Sequence, residues 1–401
     1  MPLLPPKQHH ERIPAIQLLP ERSHVHLCLT DYRDGTYTYT VHHIDVAPFF
    51  LRSDDPDVPD PGAMEEAVLP PPSTRLATRP ETNGLEFHHL LRAADGGDMI
   101  VATDDQRRTL IYDVAARAVG PGHMLLSDKR VPVSAAVADR LYVLDTSHAA
   151  RRATCFEALV YDGVEDPLRA DWYWRRLPGP PYADDGIGRP LPGSRVTALA
   201  VVGAGIWTTT APAEDGVASV IPCSRLDPRR GVWTTPKGAG AGPGTYSFDT
   251  ERQAWRREGD WELPFAGKAE LVPGCNLWFG FSRADGSSSL CAADLAAAPH
   301  RACGVWEDFR PPKEWFSCGR HLVSLGSGKL CVVRFFATDP LDKWRRRDPV
   351  AIITAMEVRT MPACDGDDDG GRGGERRIKV VKHMSRCIKL PNYNKGRNWV
   401  L

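Results

Sequence analysis

The sequence predicts an all-β chain closed into a single β-propeller, with six blades expected and five to seven compatible with the pattern. Three observations predict this. First, a phrase recurs in which a β-like run ends in an acidic residue and a turn follows: IYDV (Ile111 to Val114), ALVYDG (Ala158 to Gly163), TYSFDT (Thr245 to Thr250) and LCAADL (Leu290 to Leu295). Each copy follows a more apolar strand candidate, and repeated strand pairs of this sort encode radial β architectures. Second, the acidic markers Asp113, Asp162, Asp249, Asp294 and Glu357 are spaced by about 49, 87, 45 and 63 residues. The shorter intervals match the roughly 40 to 50 residues of a blade, and the longer ones contain insertions. Third, Gly or Pro interrupts nearly every stretch of about a dozen residues, so few helical periods survive.

Residues 1–23 form a polar, proline-bearing lead-in, and the propeller is expected over 24–401. HVHLCLTDY and TYTYTVHHIDV alternate at period two around Arg33-Asp34-Gly35-Thr36, which predicts a hairpin. The proline-rich segment 52–83 reads as an irregular excursion. Strand pairs then follow. DMIVATDD precedes TLIYDVAARAV, and PVSAAVADRLYVLD precedes CFEALVYDG and DWYWRRLP. RVTALAVVGAGIWTTT precedes GTYSFDTERQAWRREG, AELVPGCNLWFGFS precedes SSLCAADL, and HLVSLGSGKLCVVRFF precedes AIITAMEVRT. Insertions are expected at 177–194, 227–244 and around DKWRRRDPV, with an acidic, glycine-rich linker at 364–374. Beyond it, RIKVVKHMSRCIKL (Arg377 to Leu390) is the expected closing strand, set beside TVHHIDV so that the ring has no open edge.

At 401 residues the chain is long for one domain, yet propellers reach this size as one body. Hydrophobic content of 42% and charged content of 25% are globular averages, so a folded core is expected. A formal net charge of -1 supplies no global field for nucleic acid or an anionic membrane. The ten cysteines contain no Cys-x-x-Cys pair and read as reduced structural thiols. MPLLPPKQHHERIP lacks the apolar stretch of a secretory signal, and Glu11 and Glu21 argue against an organelle transit peptide. No run of about eighteen apolar residues occurs. A cytoplasmic or nuclear protein is expected.

The phrases GTYSFDTERQAWRREGDWELPFAGKAELVP (Gly244 to Pro273), NLWFGFS, LCAADL and LVSLGSGKLCVVRFF resemble the grass-expanded plant family catalogued as domain of unknown function 1668. The resemblance extends upstream through DRLYVLD, FEALVYD and WYWRRLPGPPY, covering most of the chain from about Asp98 to the final Trp-Val pair. It implies a kelch-like propeller and implies nothing about activity. The kelch Gly-Gly pair is absent from each unit, Val202-Gly203-Ala204-Gly205 being an approximation.

Among the eleven tryptophans, Trp172, Trp174, Trp207, Trp255, Trp261, Trp278 and Trp306 lie in or beside strands, where large rings fill the wedges between blades. Trp233, Trp315 and Trp344 are loop-borne and are the candidate binding residues. DGDDDG (Asp365 to Gly370) opens like a calcium loop but has Arg376 where the bidentate Glu belongs. GAGAGPG (Gly238 to Gly244) lacks the strand and helix of a phosphate-binding turn. GSGKL (Gly326 to Leu330) has Leu330 where a nucleotide loop needs a hydroxyl, and it reads as a turn between strands. His42-His43 and His88-His89 place adjacent side chains on opposite strand faces, poor geometry for a shared metal, so surface or half-buried histidines are expected. The basic tract Lys343, Arg345, Arg346 and Arg347 suits a solvated loop or, secondarily, nuclear import. No catalytic motif occurs, and no cofactor or metal set is expected.

The expected function is therefore a non-catalytic propeller whose loops on one face bind another protein. One alternative is a carbohydrate or small-molecule site in the central channel, which would need acids and aromatics from several units to converge. A second is a nuclear regulatory protein acting through the basic tracts.

Overall fold

A two-residue Asp34-Gly35 turn, with φ of 50° and 80°, joins β1 (His24–Arg33) to β2 (Thr36–Asp45). Two consecutive positive φ values suit a type I′ hairpin, and Asp-Gly is a pair that adopts them readily. Arg33 thereby faces Thr36, and the register runs unbroken to His24 opposite Asp45. Alternation sends Val25, Leu27 and Leu29 to one side of β1, and His24, His26 and Cys28 to the other.

The computed structural model describes residues 21–50, 64–78, 82, 84–91, 97–146, 155–162, 171–182, 194–212, 244–284, 289–297, 300, 302–338, 349–361, 378–391 and 397–401. After the hairpin come a 3-10 turn (Ala47–Phe49), β3 (Met64–Ala67) and β4 (Pro72–Ala77). Blade II is β5 (Leu85–Leu91), β6 (Asp98–Asp104), β7 (Thr109–Asp113) and β8 (Ala118–Gly122). Blade III is β9 (Pro132–Val137), β10 (Arg140–Asp145), β11 (Phe156–Asp162) and β12 (Asp171–Arg176). Blade IV is β13 (Ser194–Val202), β14 (Gly205–Pro212), β15 (Gly244–Asp249) and β16 (Ala254–Gly259). Blade V is β17 (Phe265–Val272), β18 (Leu277–Ser282), β19 (Leu290–Ala293) and β20 (Ala302–Trp306). Blade VI is β21 (Phe316–Gly326), β22 (Lys329–Ala337), β23 (Pro349–Thr360) and β24 (Ile378–Lys389). A final short strand, β25 (Trp399–Val400), pairs with β1 and completes blade I in the order β25-β1-β2-β4.

Six apolar clusters occupy the six seams between successive blades, including the one that joins blade VI back to blade I through Val25, Leu27, Val333 and Ile353. The ring is thus closed by side-chain packing. It is also fastened twice by backbone. β25 pairs with β1 at the inner radius, while β3, which arises from the blade I chain, lies parallel to β24 at the outer edge of blade VI. This corrects two expectations. Within the segment 377–390, Ile378–Lys389 is the fourth strand of blade VI and not the closing strand, and the expected irregular excursion 52–83 contains β3 and β4. Proline did not exclude a strand there because Pro72 is the first residue of β4. Residues 21–23, assigned to the lead-in, dock on the ring: the Ser23 carbonyl accepts from Val46 and Ala47, and Arg22 N–H donates to Leu325 O.

The recurring acidic phrase marks the third strand of a blade and not the second of a pair. Asp113 Oδ1 accepts the Ala116 N–H at 2.9 Å, Asp249 Oδ1 accepts those of Glu251 and Arg252, and Asp294 Oδ1 accepts those of Ala296 and Ala297. The carboxylate folds the turn into the fourth strand, and Arg117 and Gln253, each four residues after the acid, take φ of 53° and 54°. The tryptophans fill wedges as expected. Trp174 donates from blade III to Thr109 Oγ1 of blade II, and Trp278 donates from blade V to Val201 O of blade IV. GSGKL forms the turn between β21 and β22.

Candidate functional site

In a meander of four antiparallel strands, the second-to-third-strand connections and the blade-to-blade connections leave from one face of the ring. The other connections leave from the opposite face. The two faces differ: the first holds the buried pairs Lys129–Glu157 and Arg334–Asp308, and a cluster of histidines around one aspartate lies on the second.

The side of β1 that faces blade II begins as an apolar wedge: Cys28, Tyr39 and Val41 pack on Phe87, Ile100, Ala102 and Trp399. Toward the start of β1 the same row continues as His26 and His24. On β2 it continues from Val41 to His43, directly opposite His26. Blade II contributes His89 from β5 and Asp98, the first residue of β6. Asp98 Oδ2 accepts from His24 Nε2 at 2.6 Å and from His26 Nε2 at 3.4 Å, and Oδ1 accepts from His89 Nε2 at 3.0 Å. A carboxylate only accepts, so each Nε2 carries the proton. The His24 and His43 rings stack at 4.3 Å. His26 is fully buried and His43 is exposed.

Burial raises the Asp98 pKa, but the three imidazole donors outweigh it and hold the carboxyl well below the usual carboxylate range. Burial lowers the pKa of His26, partly offset by Asp98, and burial together with the neighbouring His24 and His26 lowers that of His43. Burial brings His89 down to about 4. An ionised carboxylate therefore sits beside His26, His43 and His89, whose imidazoles are pushed toward the neutral form. Arg22 reaches toward the same place. Burial lowers its pKa against the pull of Asp98 and Glu270, and its Nε and Nη2 have no hydrogen-bond partner. Each of His24, His26 and His43 offers one ring nitrogen, and these lie within 4.8 Å of one another, which makes them the described residues able to hold a metal ion.

Reading histidines as sequence neighbours missed this cluster. Members of each pair do diverge: His42 bonds Pro70 O at 2.7 Å and His88 bonds Thr103 Oγ1 at 3.1 Å, and both are buried, not at the surface. Their partners His43 and His89 turn into the seam. The signal available in sequence was His-x-His at 24 and 26 combined with the hairpin register, which places His43 opposite His26.

On the opposite face, Trp315 lies in the connection from blade V to blade VI, its ring 5.5 Å from that of Phe336 and 6.2 Å from Phe309. Trp233, Trp344, Lys343, Arg345, Arg346 and Arg347 lie outside the described residues. The strands that bracket them, β14 with β15 and β22 with β23, deliver their ends to this same face. The described connections there expose apolar side chains, with Phe316 58% and Met124 52% accessible. Asp365 to Gly370 also lies outside the described residues, as does GAGAGPG apart from Gly244. Among the described residues no helix is long and apolar enough to cross a membrane.

Six four-stranded antiparallel blades, packed seam to seam and fastened through a terminal strand, define a β-propeller. The chain belongs to the family described as Protein of unknown function (DUF1668), whose sequence profile matches residues 22–388. Among solved structures it is similar to the β-propeller domain of Cps50 (Swd1) from Myceliophteria thermophila. That likeness has 10% identity and a TM-score of 0.31, over 64% of this chain and 65% of that one. It is also similar to hydrazine synthase of Kuenenia stuttgartiensis, with 13% identity and a TM-score of 0.33, over 73% of this chain and 64% of that one. The chain thus spans just under two thirds of the length of either. No curated protein matches its sequence.

Proposed function

We propose that this propeller is a non-catalytic protein-interaction module that receives its partner on the face where the second-to-third-strand and blade-to-blade connections emerge. The observation that carries the reading is the exposure of Phe316, Met124 and Leu126 in connections of that face. Apolar side chains left in water on connecting segments of a rigid ring suit burial against another protein. Phe316 belongs to the V–VI seam and Met124 to the II–III seam, opposite each other in a six-blade ring, so a partner covering both spans the channel mouth.

The test is affinity purification of the full chain from cells that express it, followed by mass spectrometry. The wild type is compared with a Met124→Asp, Phe316→Asp double variant and with a chain lacking Asp227 to Gly244. A stoichiometric partner held by the wild type and lost from the double variant supports the reading. A partner held equally by all three places the interface elsewhere, and no stoichiometric partner for the wild type sinks the module reading.

A further inference from the structure

We propose that His24, His26, His43 and Asp98 form a binding site for one divalent ion of the zinc class, which ties blade I to blade II. Three of the four donors are held by one hairpin. His24 and His26 stand on the same side of β1, and His43 is directly across from His26 on β2, so the backbone register presets their spacing. The fourth donor, Asp98, comes from the neighbouring blade.

In a tetrahedral zinc site with bonds of about 2.0 to 2.1 Å, donor atoms sit roughly 3.3 Å apart. His26 Nε2 and Asp98 Oδ2 are already 3.4 Å apart. His24 Nε2 and Asp98 Oδ2 are 2.6 Å apart because a proton bridges them. When the protons of His24 and His26 shift from Nε2 to Nδ1, the freed Nε2 atoms can take an ion in place of the bridging proton, and the His24–Asp98 pair opens by less than about 1 Å. The second Asp98 oxygen stays tied to His89 Nε2 at 3.0 Å, which orients the carboxylate as outer partners of metal ligands do. His43 is exposed, so solvent reaches the donors from that side while His26 and Asp98 remain buried.

Three imidazoles and one carboxylate suit zinc, cobalt(II), nickel or copper(II) and do not suit magnesium or calcium, which require oxygen donors. Arg22 is the counterweight, since its guanidinium shares the field of Asp98 with any cation there and limits the affinity. An anion on Arg22 and His26 Nδ1, both with buried nitrogens lacking a partner, is the competing occupant. The Asp98 carboxylate at the centre of the cluster repels it. An ion bound by three donors of blade I and one of blade II crosslinks a seam that is otherwise held by apolar packing, the Arg397–Glu86 ion pair and the bond from Leu85 N–H to Tyr39 OH.

The test uses the untagged full chain, stripped with chelator and titrated with zinc by calorimetry and with cobalt(II) by visible absorption. One ion per chain, a tetrahedral cobalt spectrum and a Tm that climbs with free zinc are expected. His43→Ala, at an exposed position and compared with its own metal-free Tm, should weaken zinc at least tenfold, an effect of about the size that loss of a ligand-supporting group produces. His123→Ala, which removes an exposed histidine paired with Asp171, should leave zinc affinity unchanged. The proposal is overturned if folded wild type shows no saturable binding, or if His43→Ala binds as tightly as wild type. It is also overturned if inorganic phosphate raises the Tm and zinc does not.

Discussion

Between blades IV and V, the innermost strands hydrogen-bond to each other. β13 lies parallel to β17 with Ala198 opposite Gly267 and Ala200 opposite Ala269, and the seam behind them is mainly apolar, from Phe265 and Trp278 to Leu295, with hydrogen bonds from Leu263 N–H to Thr209 Oγ1 and from Arg283 to Thr197 Oγ1 crossing it. Between blades I and II no strand ladder crosses among the described residues. There the apolar wedge runs out before the seam ends, and five ionisable groups finish it. The first seam is an arrangement that hydrophobic burial, backbone pairing and a few hydrogen bonds account for. The second is not, because well-packed apolar residues in place of a buried ionic cluster are often neutral or stabilising. The polar seam is therefore the place to look for work other than holding the ring together.

Three perturbations test this contrast. The largest effect is expected in the apolar seam. Phe265→Ala removes a fully buried ring that packs against Gly280, where an added Cβ would lie 2.7 Å from it. It should cost about 3 to 5 kcal/mol by denaturant unfolding, with an unchanged dependence on pH. A loss below about 1 kcal/mol would show that the seam is not close-packed.

Acid should act on the polar seam and not on the apolar one, and also on the buried histidines His88 of β5 and His321 of β21, which burial brings down to about 3. In the unfolded chain the imidazoles take up protons below about pH 6.5, whereas burial keeps His89 neutral in the folded chain down to about 4 and lowers the pKa of His26 and His43 in the same direction. The unfolded state binds more protons in that window, so stability is fully present above it and falls as the pH drops, by up to about 1.4 kcal/mol per unit for each of His26 and His89 and by less for the exposed His43, where solvent screens the interaction. Asp98, with its pKa also lowered, adds to the loss at still lower pH. In chelator, His89→Gln should flatten the fall of Tm between those limits. An unchanged slope would mean that the cluster is solvated and not buried.

The smallest effect sharpens the account of the tryptophans. Trp278→Phe keeps the ring in the apolar seam and removes only the indole N–H that reaches Val201 O at 2.6 Å. About 1 kcal/mol is expected, measured by the same unfolding curves.

Much of the ring was legible because local chemistry dictated it. Asp34-Gly35 forced the hairpin, and the acid at the end of each third strand was visible before its turn-forming bonds were. What stayed hidden depended on distant parts of the chain. β25 is two residues long, too short for any periodicity, and is a strand only because β1 offers it an edge. β3 is likewise defined by β24. The cluster lay between these cases. His24, His26 and His43 could be brought together from the register alone, but that Asp98 meets them from blade II follows only from the closed ring. The exposure of Phe316 could not be read, since nothing in Trp315-Phe316 distinguishes a buried aromatic pair from a half-buried one.

The two fastenings also order events during synthesis. Within the ring β1 leaves the ribosome before every other described strand, yet its inner partner β25 follows all of them, and the partner of β3 emerges only shortly before β25. At some 5 to 20 residues per second, the first hairpin waits tens of seconds with one side unpaired. Such an edge is a template for pairing with other chains. The nascent ring is thus most vulnerable to misassembly at its first-made blade, and a chaperone that shields β1 until β25 has emerged would act where the delay is longest.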